Sequence, residues 1–367
     1  MKFDSLKVTN FRNYEKVSLK FSPYLNIIYG KNGSGKTNIV ESLYVLALTK
    51  SFRTKDDISL IKQGNVSTKI EGKVKNPKSN NYQVIINSEG KKVKINNIQE
   101  YKMSNYISNI NIILFQPDDQ MLLKLAPSVR RKMLNIEISQ LNKDYVNYLN
   151  DYNKLLKQRN RLLKDAENDR KTFDATVGVW SEGIAHESAL IGKFRYDYVR
   201  EAGKHIERFF SEMTGGSEKP SVTFAGSAKQ EEEAFSDTEA TEKEYLSLLT
   251  SNTEREIAVG STLWGAHKDD IRIDLNGRSA RDFSSQGQQR SLALAMKLAE
   301  GELCRRDIGE YPVFLLDDVL SELDAKRKAY LVNEIKGKQV IMTGCDLSIK
   351  AENTVFVKNG CYLTAEE

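Results

Sequence analysis

The feature that most constrains this chain is the glycine-rich segment GKNGSGKT at residues 30–37. It fits the pattern G-x-x-x-x-G-K-[ST], in which the glycines let the backbone curl so that successive N–H groups point at phosphate oxygens. The apolar run LNIIY precedes the segment, and residues with helical spacing, NIVESLYVL, follow it. A buried strand, a phosphate loop and a helix in this order predict an α/β fold that holds a polyphosphate.

The residues of this loop have separate predicted roles. The Lys36 side chain is expected to reach the β and γ phosphates of a nucleotide, and the Thr37 hydroxyl is expected to bind Mg²⁺. The predicted nucleotide-binding residues of the loop are Gly30, Lys31, Asn32, Gly33, Ser34, Gly35, Lys36 and Thr37.

A second buried run, VFLL, ends in the acidic pair Asp317 and Asp318. A phosphate loop needs a carboxylate on the magnesium side, supplied from the end of another buried strand. We expect Asp317 to hold Mg²⁺ through water, and Asp318 to orient and deprotonate the attacking water. The alternative is that the two acids only cap the helix that follows.

The segment SSQGQQRSLALAMKLAE supplies a third element. Residues 285–288 stand at the predicted start of a helix, whose N-terminal amides favour an anion. Because this segment precedes the acidic strand, it resembles the signature motif of ABC-type ATPases, and SELD at residues 321–324 resembles their D-loop. Ser284 or Ser285 is expected to cap the helix in either case.

The spacing of apolar residues predicts how the chain is organised. Strand signals such as TKIEGKV, NYQVIIN and KKVKIN follow the first helix. From Leu134 to Leu162 apolar and aromatic residues recur in steps of three and four, interrupted only by Arg159, and a second helical stretch follows. These stretches predict an antiparallel helical hairpin with arms of about 40 residues, or about 60 Å. The acidic residues 225–245 predict an exposed linker, after which α/β signals resume.

Composition excludes some classes of protein. The 55 Lys and Arg against 50 Asp and Glu give a net charge of +5, which permits an anionic polymer as partner without requiring one. No segment approaches the ~18 consecutive apolar residues of a membrane span, and the N-terminus has no apolar targeting core. We therefore expect a cytoplasmic protein with no membrane partner. The widely spaced Cys304, Cys345 and Cys361 predict reduced thiols and no structural zinc.

Several motifs together resemble one family. The segments GKNGSGKTNIVESLY, SFR, FQPDD, RR, GAHKDD, SQGQQRSLALAMKLAE and LLDDVLSELD stand in the order and spacing of the bacterial RecF recombination and repair proteins, over nearly the whole chain. The resemblance implies an α/β ABC-type P-loop ATPase head with an inserted helical, coiled-coil-like lobe. Residues 1–125 and 251–367 would then form the two halves of the head, and residues 126–250 the lobe and acidic linker.

The resemblance also implies a function. It implies ATP and Mg²⁺ as cofactors, dimerisation of two copies on ATP, and slow, DNA-stimulated ATP hydrolysis that acts as a switch or timer. It implies binding to single-stranded DNA and gapped duplex, with RecO and RecR as partners, in recombinational repair, replication restart and the SOS response.

Site residues follow from the same resemblance. Asp317 and Asp318 become the Walker B pair, and Ser285 the signature serine, with Gln288 beside it as a second nucleotide contact. Lys36, Asp318 and Ser285 are the expected catalytic residues. Gln116, in LFQPDD, lies in the neighbourhood of the Q-loop.

Contacts to DNA are expected from basic residues near the head. The candidates are Arg53, Lys55, Arg130 and Arg131, which would contact phosphates without reading bases. The alternative for Arg130 and Arg131 is that they pair with acids on the lobe.

The chain departs from the resemblance at two places. The family usually reads Gly-Pro-His-Arg-Asp-Asp where residues 265–270 read GAHKDD, so Lys268 lacks the bidentate geometry of an arginine. Thr343, in VIMTGCD, stands where transporter ATPases have a switch histidine. The role of His267 stays open, whereas His186 and His205 are expected to be packing or surface residues.

Other functions fit the motifs less well. An SMC-like chromosome-maintenance ATPase outside the family would have far longer arms and often a zinc hook. A transporter subunit needs membrane partners, and a small-molecule kinase needs an acceptor pocket with a base. A nucleotide-gated clamp, in which hydrolysis is only a timer, overlaps with the function that the resemblance implies.

Overall fold

The computed structural model describes residues 1–228, 231–344 and 351–358, and the backbone of Cys361–Thr364. The chain divides into two compact units. The head unit comprises Met1–Gln120 and Arg290–Glu367, and the lobe unit comprises Met121–Gln289. The lobe unit thus extends beyond residue 250, where the sequence places the return to the head. Among the described residues, no helix has the length and apolar character needed to cross a bilayer.

The head unit contains two six-stranded sheets. The strands of the antiparallel sheet are β1 (Lys2–Phe11), β2 (Tyr14–Lys20), β4 (Ser67–Asn76), β5 (Lys78–Asn87), β6 (Gly90–Ile95) and β7 (Ile98–Glu100). Those of the second sheet are β3 (Leu25–Tyr29), β8 (Ile112–Phe115), β12 (Val313–Leu316), β13 (Val340–Gly344), β14 (Asn353–Lys358) and β15 (Cys361–Thr364). The helices of this unit are α1 (Lys36–Leu48), α2 (Met103–Ile107), α10 (Ala325–Glu334) and most of α9 (Gln286–Ile308).

The second sheet positions the predicted site. Its strand order is β15-β14-β3-β13-β12-β8, and all neighbours pair in parallel except β14 and β15. Strands β8 and β12 are buried at every residue, as expected for a parallel sheet covered on both faces. Because parallel strands end at the same edge, the carboxyl ends of β3, β13 and β12 lie side by side.

The antiparallel sheet is covered on one face only. Its strands alternate between buried and exposed side chains, and its order is β2-β1-β4-β5-β6-β7. The predicted strands TKIEGKV, NYQVIIN and KKVKIN lie in β4, β5 and β6, with the predicted turn at Asn76 and Pro77 between β4 and β5. Helix α1 packs against β1, β4 and β5, so the inner face of this sheet belongs to the core of the head unit.

The lobe unit is built on a helical hairpin. Its helices are α3 (Pro127–Leu141), α4 (Lys143–Asp165), α5 (Arg170–Thr214), α6 (Thr238–Ser251), α7 (Thr253–Val259) and α8 (Ala280–Phe283), together with the first residues of α9. A three-stranded antiparallel sheet of the order β11-β10-β9 completes it, with β9 (Pro220–Ala225), β10 (Asp270–Leu275) and β11 (Arg278–Ser279).

The hairpin confirms the predicted antiparallel pair but not two equal arms. The first arm is interrupted at Asn142, which has extended backbone and whose side chain accepts hydrogen bonds from the N–H groups of Asp144 and Tyr145. Heptad positions are buried on both sides of this break, at Leu134 and Ile138 in α3 and at Tyr145 and Tyr152 in α4. Helix α4 has 23 residues and α5 has 45, which correspond to about 35 and 67 Å at 1.5 Å per residue.

Arg159, the residue that interrupts the heptad pattern, lies inside the lobe unit. Its side chain is completely buried, and so is that of Glu256 on α7, with which it forms an ion pair at 2.5 Å. The Arg159 guanidinium also donates to Ser181 on α5 and to Thr262, at 3.0 and 2.9 Å. The heptad pattern could not predict the burial of Arg159, because a buried charge needs a partner and that partner, Glu256, is distant in the sequence.

The acidic segment is a second correction. The expectation of an exposed linker is wrong, because the described part of this segment forms a short 3₁₀ helix, Glu232–Ser236, and the start of α6. Phe235 and Tyr245 are fully buried, and Phe235 stacks edge-on against Phe224 of β9. Widely spaced apolar residues anchor the segment, although its average composition is that of a linker.

The buried ion pair leads to a stability prediction. Arg159→Met leaves the Glu256 carboxylate buried without its partner and is expected to destabilise the protein by about 3–5 kcal/mol. Urea unfolding measures the change in the free energy of unfolding. The double variant Arg159→Met/Glu256→Gln should regain part of this loss, because no buried charge remains.

The matched control lies two residues along the same helix. Arg161 is 82% exposed and contacts Asp165 at 3.8 Å, so Arg161→Met should change stability by less than about 0.5 kcal/mol. Equal effects of the two single variants would contradict the importance of burial.

Candidate nucleotide-binding site

The phosphate loop lies between β3 and α1, and its glycines have backbone conformations that other residues rarely adopt. The φ angles of Gly30, Gly33 and Gly35 are 155°, 78° and 116°. A Cβ atom at Gly30 would lie 2.2 Å from the carbonyl oxygen of Val357, and one at Gly35 would lie 2.7 Å from the side chains of both Asn13 and Tyr14. Glycine is therefore required at positions 30 and 35 by both conformation and space.

Two polar side chains are buried within this loop. Lys36 is 3% exposed, and its Nζ atom donates to the carbonyl oxygens of Gly30 at 2.7 Å and Lys31 at 3.3 Å. The hydroxyl of Ser34 is buried and has no hydrogen-bond partner among the described residues. A buried ammonium group and a buried hydroxyl beside curled backbone are groups that stabilise phosphate oxygens.

Asp317 follows β12, and its carboxylate accepts hydrogen bonds from residues of two other parts of the chain. Its Oδ1 atom accepts a hydrogen bond from the Thr37 hydroxyl at 3.0 Å, at the start of the helix that follows β3, and one from the Thr343 hydroxyl of β13 at 2.9 Å. Burial raises the pKa of the Asp317 carboxyl above its usual value, while the two threonine hydroxyls lower it. The threonines thus favour the ionised form of a carboxylate that burial would otherwise neutralise.

The predicted catalytic base, Asp318, stands next to this cluster. Its backbone has φ of 53°, in the left-handed region, and its N–H group donates to the Thr343 hydroxyl at 2.9 Å. This conformation is strained for an aspartate, and such strain is concentrated at functional sites. Thr343 thus holds both acids, one through each of its hydrogen-bonding functions.

The oxygen donors of this cluster fit a magnesium ion. Mg²⁺ prefers one or two protein oxygens together with phosphate and water, rather than a cage of carboxylates. Thr37 and Asp317, the two predicted ligands, would hold it, and their oxygens lie 3.0 Å apart. Within the described residues, no group of three or more His, Cys, Asp or Glu side chains forms a separate metal site.

A charge cluster beside α1 was missed by the sequence analysis. Glu41 is completely buried and receives two hydrogen bonds from the guanidinium of Arg12, at 2.9 and 2.7 Å. Arg53 lies 3.4 Å from the same carboxylate and donates to Asn38 at 2.8 Å, and its charge lowers the pKa of Asp317. Arg53, predicted to contact DNA, therefore lies close to the phosphate loop. Arg12 lies with Asn13 in the short turn between β1 and β2, and no sequence pattern predicted its pairing with Glu41.

Gln116 follows β8 on the same sheet. Its N–H group donates to the Asp119 carboxylate at 2.7 Å, and both residues line a small cavity with Arg290 and Glu322. Burial raises the pKa of Asp119. The Q-loop assignment of Gln116 remains a prediction.

Ser285 belongs to the lobe unit, where it caps helix α9. The backbone N–H of Gln288 donates to the Ser285 hydroxyl at 3.3 Å, and the backbone N–H of Ser285 donates to Oε1 of Gln288 at 2.6 Å. This reciprocal pair is a capping box, and Ser285 is exposed. The predicted cap is confirmed, and the first turn of α9 is accessible at its surface.

The basic residues predicted to contact DNA differ in their surroundings. Arg130 is 5% exposed, pairs with both oxygens of Asp270 at 2.8 and 2.6 Å, and donates to Leu125. Arg131 donates to the backbone of Asp269, and burial lowers its pKa. Ion pairing within the lobe unit therefore accounts for Arg130, whose guanidinium is not accessible for a DNA contact. Lys55 is exposed.

The GAHKDD segment forms part of the interior of the lobe unit. Asp269 is completely buried and accepts hydrogen bonds from Arg195 at 2.8 Å and Tyr245 at 3.1 Å. His267 contacts Tyr152 and the carbonyl of Thr262, and burial lowers the pKa of its imidazole to about 4. His267 is therefore neutral at pH 7, and Lys268, at the position of the family's arginine, is exposed.

Comparison with known proteins identifies the family. A family model described as the RecF/RecN/SMC N terminal domain matches residues 2–358. The DNA replication and repair protein RecF of Listeria monocytogenes is 37% identical over 368 residues, which cover 98% of this chain and 99% of the relative. The chain belongs to the RecF family.

Other relatives and solved structures agree with this assignment. RecF of Staphylococcus carnosus is 38% identical over 92% of this chain and 91% of its own. A solved structure of the recombination mediator protein RecF with ATP, in the RecFOR pathway, is 30% identical, with a TM-score of 0.91 over 99% of both chains. A second, RecF-ATPrS, has a TM-score of 0.93 at 30% identity, covering 99% of this chain and 98% of that one.

The RecF family shares its fold with SMC heads. An SMC head bound to the winged-helix domain of ScpA is 15% identical, with a TM-score of 0.57 over 100% of this chain and 98% of its own. The expected ABC-type ATPase head with an inserted helical lobe is thus confirmed. Of the two families considered from the sequence, RecF is confirmed over an unrelated SMC-like ATPase.

The Thr343 hydroxyl leads to a prediction about ionisation. Thr343→Val removes one of the two hydroxyls that lower the pKa of Asp317, so the Asp317 carboxyl should titrate at higher pH than in the unchanged protein. NMR titration of the carboxyl carbon measures this, and Asp317→Asn identifies the signal. Because a divalent cation needs the ionised carboxylate, its binding should also weaken first at the acid end of the range.

Thr343→Ser is the matched control, because it keeps the hydroxyl and should leave the titration in place. An Asp317 titration that moves equally in the valine and serine variants would contradict a direct hydrogen-bond effect.

Proposed function

We propose that this protein binds ATP with Mg²⁺ at residues 30–37 and hydrolyses it slowly, as a switch for binding DNA. The observation that carries this proposal is the cluster of half-buried Thr37 with buried Asp317 and Thr343 at the edge of the parallel sheet. Such a cluster places a hydroxyl and a carboxylate where the magnesium of a bound nucleotide belongs.

The two parts of the reaction fall to different residues. Lys36 binds and orients the β and γ phosphates, and its charge offsets the negative charge that develops on transfer. Asp318 orients the attacking water and accepts its proton. Bound Mg²⁺ supplies charge neutralisation between the β and γ phosphates. Gln116 and Arg53, near the loop and the acids, are candidates to contact the water and the phosphates.

The active species is proposed to be a dimer. The phosphate loop belongs to the head unit and Ser285 to the lobe unit. We assign these two halves of one site to two different chains, so that Ser285, Gln288 and the N-terminus of α9 in one chain contact the γ phosphate held by its partner. A two-fold axis makes the two contacts identical and closes the assembly at two copies. The exposure of the capped first turn of α9 supports this arrangement.

The cellular role is proposed from the relatives. Their names place them in DNA replication and repair and in the RecFOR pathway. We propose that this protein, in the cytoplasm, binds single-stranded and gapped duplex DNA as a recombination mediator. DNA would stimulate its hydrolysis, RecO and RecR would act with it, and it would serve recombinational repair, replication restart and the SOS response.

One prediction separates nucleotide binding from chemistry. Lys36→Ala should lose ATP affinity by about 1.5–3 kcal/mol, which is the value of a charge-assisted hydrogen bond. Asp318→Asn should retain ATP binding and lose hydrolysis, because only the proton acceptor changes. Equilibrium binding of labelled ATP, together with phosphate release, measures both. Hydrolysis at the normal rate in Asp318→Asn would assign the base to another residue.

A second prediction concerns the shared site. Ser285→Asp keeps a side chain that caps α9 but places a negative charge against the partner's γ phosphate. It should bind ATP as a monomer with normal affinity, yet fail to dimerise and to hydrolyse ATP. Sedimentation with and without ATP measures the dimer. Ser285→Thr, which keeps the cap without the charge, is the control and should still dimerise.

Mixing two inactive variants tests the same point directly. Ser285→Asp together with Lys36→Ala should recover at most one working site per mixed dimer. No mechanism confined to one chain permits such recovery. If Ser285→Asp dimerises with ATP as well as the unchanged protein, the proposal that two chains share the site is wrong.

A further inference from the structure

The outer face of the antiparallel sheet in the head unit is rich in lysine. On β4, Lys69, Lys73 and Lys75 point to the face opposite the buried Ile70 and Val74. The register continues this face across the sheet, because Lys69 pairs with Thr9 and Ile85, and Ile85 pairs with Lys92. We name this surface, formed by the outward side chains of β1, β2, β4, β5 and β6, the lysine face.

The other strands add further lysines in the same register. Lys2 lies directly opposite Lys75, and Ser5 lies between Lys73 on one side and Lys20 on the other. Lys16 pairs with Thr9, and Lys94 pairs with Gln83. At the paired positions of this face Glu71 is the one acid, and it pairs with Lys7 and contacts Lys69 at 2.9 Å.

Protection of the sheet edge explains only part of this pattern. Lysines on an exposed edge strand prevent sheets from pairing with each other, and β2 is such a strand. Strand β4 lies inside the sheet, between β1 and β5, where it has no free edge to protect. The like charges of Lys2 and Lys75, directly opposite each other, weaken the sheet. Among the described residues, Lys73, Lys75 and Lys94 form no ion pair that would offset this.

We propose that the lysine face binds the phosphate backbone of duplex DNA. Alternate residues of a strand are about 6.8 Å apart, so the lysines of the face form a closely spaced array of positive charge, and a duplex carries one negative charge per about 1.7 Å of its axis. Lysine acts as a point charge, which suits contacts that do not depend on base sequence.

The chemistry of the face favours duplex over single-stranded DNA. Proteins that hold single strands use aromatic side chains on which the bases stack. Between the lysines, the paired outward positions of β1, β2, β4 and β5 carry Ser, Thr, Asn, Gln, Glu and Ile side chains and no aromatic ring. The strand positions of the face therefore offer charge to a backbone and no ring on which bases could stack, and the Tyr24 ring beside the face has the Lys2 ammonium 4.6 Å from its centre. The proposal rests on the proposed DNA binding and assigns it to one surface and one form of DNA.

The test is a triple variant of the full-length protein, Lys73→Gln/Lys75→Gln/Lys94→Gln. Binding to a blunt duplex with ATP and Mg²⁺ should weaken at least about tenfold near 0.1 M salt. The slope of log affinity against log salt should also become shallower by about 0.9 for each phosphate that the variant no longer neutralises. Two duplexes of unrelated sequence should show the same reduction in affinity. Arginine at the same three positions should preserve the affinity, because it keeps the charge.

The matched control removes three exposed lysines of the lobe unit. Lys157→Gln/Lys204→Gln/Lys243→Gln has the same net charge as the test variant and should bind duplex like the unchanged protein. ATP binding by all variants shows that the head unit remains folded. Duplex affinity and slope that stay unchanged in the face variant would overturn the proposal, and so would equal reductions in the two variants.

Two further results would also overturn it. One is weaker binding confined to a single-stranded oligonucleotide, and the other is equally tight binding of polyglutamate, which would indicate an acidic protein as partner. A wild-type protein that binds no DNA would refute the proposed function as well. Normal duplex binding by the face variant would refute only the assignment of the surface.

Discussion

The head unit depends on one buried carboxylate. Asp317 follows β12, and its Oδ1 atom accepts hydrogen bonds from Thr343 of the neighbouring strand β13 and from Thr37 in the helix that follows β3. Burial alone would favour the neutral acid, because a charge loses its hydration inside a protein. The two hydroxyls lower the pKa of this carboxyl and so favour its ionised form. The chemistry of the site is therefore set by the strand order, which brings residues from three separate parts of the chain to one edge of the sheet.

The lobe unit differs, because buried ion pairs connect each of its two long helices to residues outside the hairpin. Arg159 on α4 pairs with Glu256 on α7, and Arg195 on α5 pairs with Asp269 of the GAHKDD segment. Removing one partner of such a pair leaves a buried charge, whereas a mismatched apolar contact costs much less. The same two guanidinium groups also bond across the hairpin, Arg159 to Ser181 and Arg195 to Tyr145, and thereby favour one register of α4 against α5. The GAHKDD motif thus has a structural function in the lobe unit, because its Asp269 is the buried partner of Arg195.

Basic side chains are paired with acids to different extents in different parts of the molecule. A net charge of +5 from 55 basic and 50 acidic residues says little about partners. In the lobe unit many cations are paired, as Arg130 is with Asp270 and Arg170 with Glu254. On the outer face of the antiparallel sheet, by contrast, lysines lie next to other lysines. The arrangement of charges, and not their sum, therefore distinguishes a surface for an anionic polymer from an ordinary solvated surface.

The sequence by itself determined the phosphate loop, the acidic strand end, the capped helix at Ser285 and the strands of the antiparallel sheet. Each of these is a local pattern, in which residues a few positions apart fix the backbone or its hydrogen bonds. Only the tertiary structure decided that Thr343 holds both acids, that Glu41 joins Arg12 and Arg53, and that Arg159 and Arg130 are buried with partners. It also showed that the acidic segment folds around Phe235 and Tyr245. Those outcomes depend on residues far apart in the chain, because burial and ion pairing are properties of neighbours in space.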